Sequence, residues 1–281
     1  MTSDLPAFQA NPGLYLVKGP DPSVRMLAIN PRPQAPAGKY LSNTLVRQAI
    51  AYAIDYERIA KFRDGERVYS IYHKGQTIPD VAIEPQKDLQ YNPAKAKELL
   101  TQAGYPNGIP EPIELIADSS TYGVEEIDMA SIIKNNLDAV GIRVNVRVTD
   151  PVLRTSILNG RNHTLTLFSA ASTTSDPDYA AQTNYYSPRG VQRWGFNRSD
   201  VDQLVLQGLA ELDDAKRVEI YHKLQIMCDG PDLLRGAIYL YIPWNYVVAW
   251  KYVKGDLTPT ILFGYSLDWT KADIDPERKI S

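Results

Sequence analysis

Apolar positions along this chain recur at two spacings, and the places where one gives way to the other mark its elements. "SVRMLAIN", ending at Asn30, alternates and predicts a strand. In "SNTLVRQAIAYAIDYERIAK" the apolar Val46, Ala49, Ile50, Ala53 and Ile54 fall at helical spacing. Arg47, Gln48 and Asp55 lie on the opposite side, and Ser42 to Thr44 are available as caps. One amphipathic helix with a single buried face is expected there. The next helix is punctuated at both ends. Asn92 caps it, Pro93 takes its first turn, Ala96, Leu99, Leu100 and Ala103 form its stripe, and Gly104 stops it ahead of Pro106.

The period then changes twice. "PIELIA" alternates; Met129, Ile132, Ile133, Leu137 and Val140 return to helical spacing before Gly141; and "IRVNVRVT" alternates again. This is a β-α-β unit, expected to cross over between parallel strands. A short helix around Val152 to Leu158 leads to a strand in "HTLTLF". Helices at Ser199 to Leu212 and Asp213 to Asp229 follow, each with a polar residue at its start, then a strand-rich tail, "AIYLYIPWNYVVAWKYVKG". Residues 1–38 are rich in proline and carry no other periodicity. The expected class is α/β, or mixed α+β.

One stretch stands apart. "FSAASTTSDPDY", from Phe168 to Tyr179, sets a run of small residues between the apolar "HTLTLF" strand and the aromatic-rich "NYYSPRGVQRWGF". Its Asp176 and Asp178 are candidates for an acid/base pair or a cation site; the competing reading is a turn in which they bond nearby amides around Pro177. Tyr and Trp in the alternating segments suit core packing and equally a sugar or peptide groove.

Composition narrows the classes. With 281 residues, 44% hydrophobic and 22% charged, the chain folds around a real core, in one large domain or two ordinary ones. A net charge of −3 with scattered Lys and Arg leaves no footprint for nucleic acid. No apolar run reaches membrane-spanning length, and "MTSDLPAFQA" lacks the basic region and apolar core of a secretory signal. The single Cys228 reads as a packed thiol within a helix. Nucleophile-elbow, zinc-protease, phosphate-loop and dinucleotide motifs are missing. His73, His163 and His222 stand too far apart in sequence for metal-ligand spacing, so neither metal nor cofactor is expected.

The order of four blocks carries a resemblance: "LAINPRPQAPAGKYLSNTLVRQAIAYAIDYERIAK", "YNPAKAKELLTQAGYPNG", "WGFNRSDVDQLVLQGLAELDDAKRVEIYHKLQ" and "IPWNYVVAWKYVKG". Together they resemble the extracellular solute-binding proteins of family 5, the peptide, nickel, opine and oligosaccharide receptors of bacterial ABC importers. The resemblance implies a periplasmic-binding-protein-like class II second lobe over residues 28–252. Residues 1–27 would be a remnant of the first lobe or hinge, and residues 253–281 a return to it. It implies a periplasmic, non-catalytic protein that captures a peptide, opine or oligosaccharide by hinge closure and hands it to permease subunits. The first lobe would lie outside this sequence, on another chain if the protein is split.

The same resemblance places Phe168, Ala170, Ala171, Ser172, Thr173, Thr174, Asp176 and Tyr179 in the loop that lines the cleft, where small side chains leave backbone groups open to the ligand. Family members often carry Trp and Asp in it, the Asp meeting a peptide's α-amine; here Ala170 and Thr173 occupy those positions. A buried ammonium without a counter-charge is costly, so a neutral, hydroxyl-rich or amide-rich solute is expected. The alternatives are a degenerate lobe acting as regulator or decoy, and a hydrolase using Asp176 and Asp178.

Overall fold

The computed structural model describes residues 4–21, 23–72, 78, 80–118, 124–171, 176–188, 197–233, 236–255, 257 and 272–275. In chain order its elements begin with α1 (Leu5–Ala10), β1 (Leu14–Pro20), β2 (Ser23–Ile29), α2 (Gly38–Leu41), α3 (Thr44–Ala53), α4 (Tyr56–Phe62) and β3 (Gly65–Glu66). There follow α5 (Pro93–Gln102), β4 (Ile113–Asp118), α6 (Val124–Asp138), β5 (Val144–Thr149), α7 (Pro151–Asn159), β6 (Leu165–Ala171) and α8 (Pro177–Asn184). The last are α9 (Ser199–Ala210), α10 (Asp214–Asp229), β7 (Ala237–Trp250), β8 (Val253–Gly255) and β9 (Ala272–Ile274).

A mixed sheet in the order β1-β7-β2-β6-β4-β5 organises the molecule, with β3 on the side of β7. The expected β-α-β unit is present: β4 and β5 pair in parallel from Ile113↔Val144 to Asp118↔Thr149, with α6 between them. β6 joins β4 in parallel and β2 antiparallel. Side-chain alternation then splits the core. Leu27, Ile29, Leu165 and Leu167 face a cluster with α3, α5 and α6. Val24, Met26, Ala28 and Ala170 face a second cluster with α8, α9 and α10. Cys228 is buried in the latter.

Strand β7 does two jobs. Its first half, Ala237 to Ile242, is buried and pairs with β2, whereas from Pro243 onward it is partly exposed and pairs with β1, Pro20↔Trp244 through Leu14↔Trp250. Pro243 stands at the change of partner, where a residue with no N–H to give to a ladder is tolerated, and its carbonyl still accepts from Asp21 N–H at 2.9 Å. A two-stranded ribbon therefore leaves the sheet at the edge where β4 and β6 end.

Four expectations are corrected. The single helix after Ser42 is two, α3 and α4. The chain turns extended at Ile54, and Asp55 starts the second helix by accepting from Arg58 N–H at 3.0 Å while its own N–H goes to Asn136 Oδ1 at 3.1 Å. Arg47, assigned to the polar side, is 4% exposed; it donates to the carbonyls of Leu41, Ser42, Leu233 and Asp232 at 2.8–3.2 Å. The proline-rich start holds α1 and β1, and β1 is stabilised by a partner at the far end of the sequence. At the start of α9, Arg198 makes no side-chain cap, whereas Asp213 caps α10 as expected.

Candidate functional site

Parallel strands that end together leave a crevice at their carboxyl ends, where ligands of open α/β sheets bind. Here β4 ends at Asp118 and β6 at Ala171, and antiparallel pairing brings the start of β2 beside them: Ser23 faces Ala171 and Arg25 faces Ser169. Arg25 Nη1 donates to Ser169 Oγ across the two strands.

A buried charge cluster lies at this edge. Asp118 and Glu126 are 1% and 2% exposed and share one guanidinium, that of Arg154 on α7. Arg154 Nη1 is 3.3 Å from Asp118 Oδ2 and 3.8 Å from Glu126 Oε2, while Nη2 donates to the Leu167 carbonyl in β6. Glu126 Oε1 accepts the Asp118 N–H at 2.9 Å, joining α6 to the end of β4. Burial pushes the Glu126 carboxyl up to about 7, against the pull of Arg154 and the Asp118 amide.

Of two recesses, the first reaches this cluster through Glu126 and the second is lined by other residues. The first, of 10 Å³, is the size of one water and is lined by Arg25, Arg63, Glu126, Met129, Leu167, Phe168 and Tyr241. Arg63 Nε donates to Tyr241 Oη there at 3.2 Å. The second is a groove of 1160 Å³ at the base of the ribbon, running past Lys18, Asp64, Arg67, Tyr69, Tyr72 and Trp244. Lys18 Nζ lies 4.4 Å from the Trp244 ring centre, and Arg67 stacks on Tyr56 at 3.9 Å. Aromatic faces, paired charges and this size suit a polar organic solute. Among the described residues no group of His, Cys, Asp and Glu is placed to hold a metal ion, and no helix is long and apolar enough to cross a membrane.

The model of the bacterial extracellular solute-binding proteins, family 5 middle, matches residues 1–192. The chain belongs to this family. Among curated relatives, heme-binding protein A of Haemophilus influenzae is 24% identical over 245 residues, 80% of this chain and 41% of that protein. Glutathione-binding protein GsiB of Escherichia coli is 25% identical over 259 residues, 88% of this chain and 46% of that protein. The family 5 chain thus spans less than half the length of these relatives.

Solved structures agree on the fold. The substrate-binding protein CtaP of Listeria monocytogenes superposes with a TM-score of 0.80 at 18% identity, over 97% of this chain and 54% of that one. A dipeptide-binding protein of a Pseudoalteromonas species, solved with Met-Leu, gives 0.76 at 23% identity, over 97% of this chain and 52% of that one.

Of the residues assigned to the ligand loop of this family 5 chain, Phe168 lines the smaller recess, half-buried beside Glu126 and Arg25. Ala170 is 7% exposed and packs in the second core cluster. Ala171 ends β6; Ser172, Thr173 and Thr174 lie outside the described residues. Asp176 caps α8 by accepting the Asp178 N–H at 2.9 Å and pairs with Arg217 Nη2 at 2.8 Å, in line with the turn reading. Asp178 accepts from Gln182, and Tyr179 is half-buried in α8. Arg25, Glu126, Arg154 and Lys18 escaped sequence reasoning, whereas Trp244 lies in a segment whose aromatics were offered as groove candidates. For the charge cluster the available signal was Asp118, a carboxylate closing a strand that is apolar apart from Glu114.

Proposed function

We propose that this chain carries the second lobe of an ABC-importer receptor, residues 28–252, with residues 1–27 and 253–281 belonging to the hinge and first lobe. It takes a peptide-like or oligosaccharide-like solute at the edge where β4 and β6 end and passes it to a membrane permease. The observation that carries this reading is the β1–β7 ribbon. It rises from the same edge as the charge cluster and the groove, so a body hinged on the ribbon closes over that edge. Membership of family 5 supports it, as do the relatives' names, which speak of heme, glutathione and dipeptide.

In this reading Phe168, Ala171, Ser172, Thr173 and Thr174, with Asp176 and Tyr179, form the rim that meets the solute, and Ala170 packs into the core behind it. Thr173 in place of a carboxylate favours a neutral or blocked ligand over a free α-amine. The Asp176 carboxylate caps α8 and pairs with Arg217, and the Asp178 carboxylate accepts from Gln182, which supports binding without catalysis. A single face leaves a solute largely in water, so the 281-residue chain alone is expected to bind more weakly than micromolar.

Native mass spectrometry of the protein recovered gently from its own cells tests the proposal. A bound small solute, alone or with a complementary lobe, is the expected result. Protein that carries none, and gives no saturable heat with dipeptides, tetrapeptides or oligosaccharides when its partner lobe is supplied, would overturn it.

A further inference from the structure

At the proposed solute face one buried guanidinium bridges two carboxylates, while Arg25 and Arg63 line the small recess beside Glu126. The carboxylates are those of Asp118 and Glu126, and Arg154, which carries the guanidinium, is itself 7% exposed. Arg154 Nε is buried with no hydrogen-bond partner among the described residues, so this side chain is committed wholly through its two terminal nitrogens. Those nitrogens tie together the end of β4, the first turns of α6 and the Leu167 carbonyl of β6.

We propose that Glu126, Arg154 and Asp118 form a proton-responsive positioning device that sets the ends of β4 and β6 against each other. With Glu126 ionised, the guanidinium is shared between two carboxylates. A proton taken from solvent onto Glu126 Oε2 leaves Oε1 accepting the Asp118 N–H and returns Arg154 to a one-to-one pair with Asp118. The bond from Nη2 to the Leu167 carbonyl then follows Arg154, which shifts the stretch of β6 carrying Phe168 and Ser169. These residues lead into the proposed solute rim, so the inference rests on the receptor reading for its purpose, though not for its chemistry.

The surroundings of Glu126 support proton exchange near neutrality. Asp118 from β4 disfavours its charge, Arg154 from α7 and Arg25 from β2 favour it, and burial opposes ionisation most. Arg63, at the end of α4, and the Tyr241 hydroxyl of β7 face the same small recess. Room for one water beside Glu126 gives the proton a route.

The test is a titration of the full chain, without solute, from about pH 5 to pH 8.5, followed by carbon-13 signals of the Glu carboxyls and by the Asp118, Leu167 and Phe168 amides. One carboxyl is expected to titrate with proton affinity at least about tenfold above that of an exposed glutamate. The three amides should move with the same midpoint, and in Glu126→Gln both responses should vanish. If every Glu carboxyl finishes titrating below about pH 5.5, or the Leu167 and Phe168 amides ignore the Glu126 midpoint, the device is ruled out. Should Glu126→Gln fail to fold, the wild-type titration decides alone. Because no solute is present, loss of the receptor reading leaves this result intact.

Discussion

Arg217 donates to Asp176 across 2.8 Å, fastening α10 to the residue that caps α8. The cap and the ion pair end the small-residue stretch on a rigid element. Asp176→Ala is expected to cost about 1–2 kcal/mol, most of it from the cap, because the Asp176 side chain is 47% exposed and its ion pair is screened. Urea unfolding measures this. The same variant should change no hydrolytic rate, and a lost activity would revive the acid/base reading of Asp176 and Asp178.

Gly108 and Gly141 pack backbone against backbone. A Cβ on Gly108 would lie 2.2 Å from the Gly141 carbonyl oxygen, with φ at +86°. Gly104 has a similar φ of +91° and open space around it. Gly108→Ala is expected to cost about 2–4 kcal/mol, through clash and dihedral strain together. Gly104→Ala should cost about 1 kcal/mol, from the dihedral alone. Equal losses in thermal or urea unfolding would contradict this packing.

His163 and Glu126 oppose each other in pH dependence. Burial holds the fully enclosed His163 down at about 4, and neither ring nitrogen has a hydrogen-bond partner among the described residues. As pH falls from 6.5 towards 4, the unfolded chain protonates this imidazole and the folded one does not, so stability is lost. Glu126, raised from 4.5 to about 7, acts the other way: its contribution is complete below 4.5 and is lost as pH rises through 7. Each effect reaches up to about 3 kcal/mol. Wild-type stability should therefore vary little between 4.5 and 6.5 on their account. Glu126→Gln should then lose stability on acidification and His163→Met should gain it; parallel pH profiles for both variants would refute the pair.

Trp244 is the aromatic face of the large groove, and Lys18 sits above it. Trp244→Ala is expected to weaken solute binding about tenfold, whereas Lys18→Met should change it less, since an exposed cation adds little. Calorimetry with the solute identified by mass spectrometry distinguishes them. Unchanged affinity in Trp244→Ala would move the solute away from the ribbon.

Local order was legible wherever a pattern closes on itself. The stop and start around Asn92–Pro93 and Gly104, the alternation of β4 and β5 about α6, and the cap at Asp213 all rest on neighbours a few residues apart, and the amino-acid sequence alone determines them. The break at Ile54 was hidden because part of its compensation, Asn136 Oδ1, comes from α6. β1 was hidden because a strand is stabilised by its partner, and that partner is the outer half of β7.

The candidate site shows the same division. Membership of family 5 was readable in four ordered blocks, since fold-wide patterns survive low identity. The charge cluster was not, because Asp118, Glu126 and Arg154 belong to three different elements, and only their packing takes the carboxylates out of water. In solvent each is an ordinary charged residue; the tertiary structure alone brings two carboxylates to one guanidinium, where burial strengthens the interactions among them.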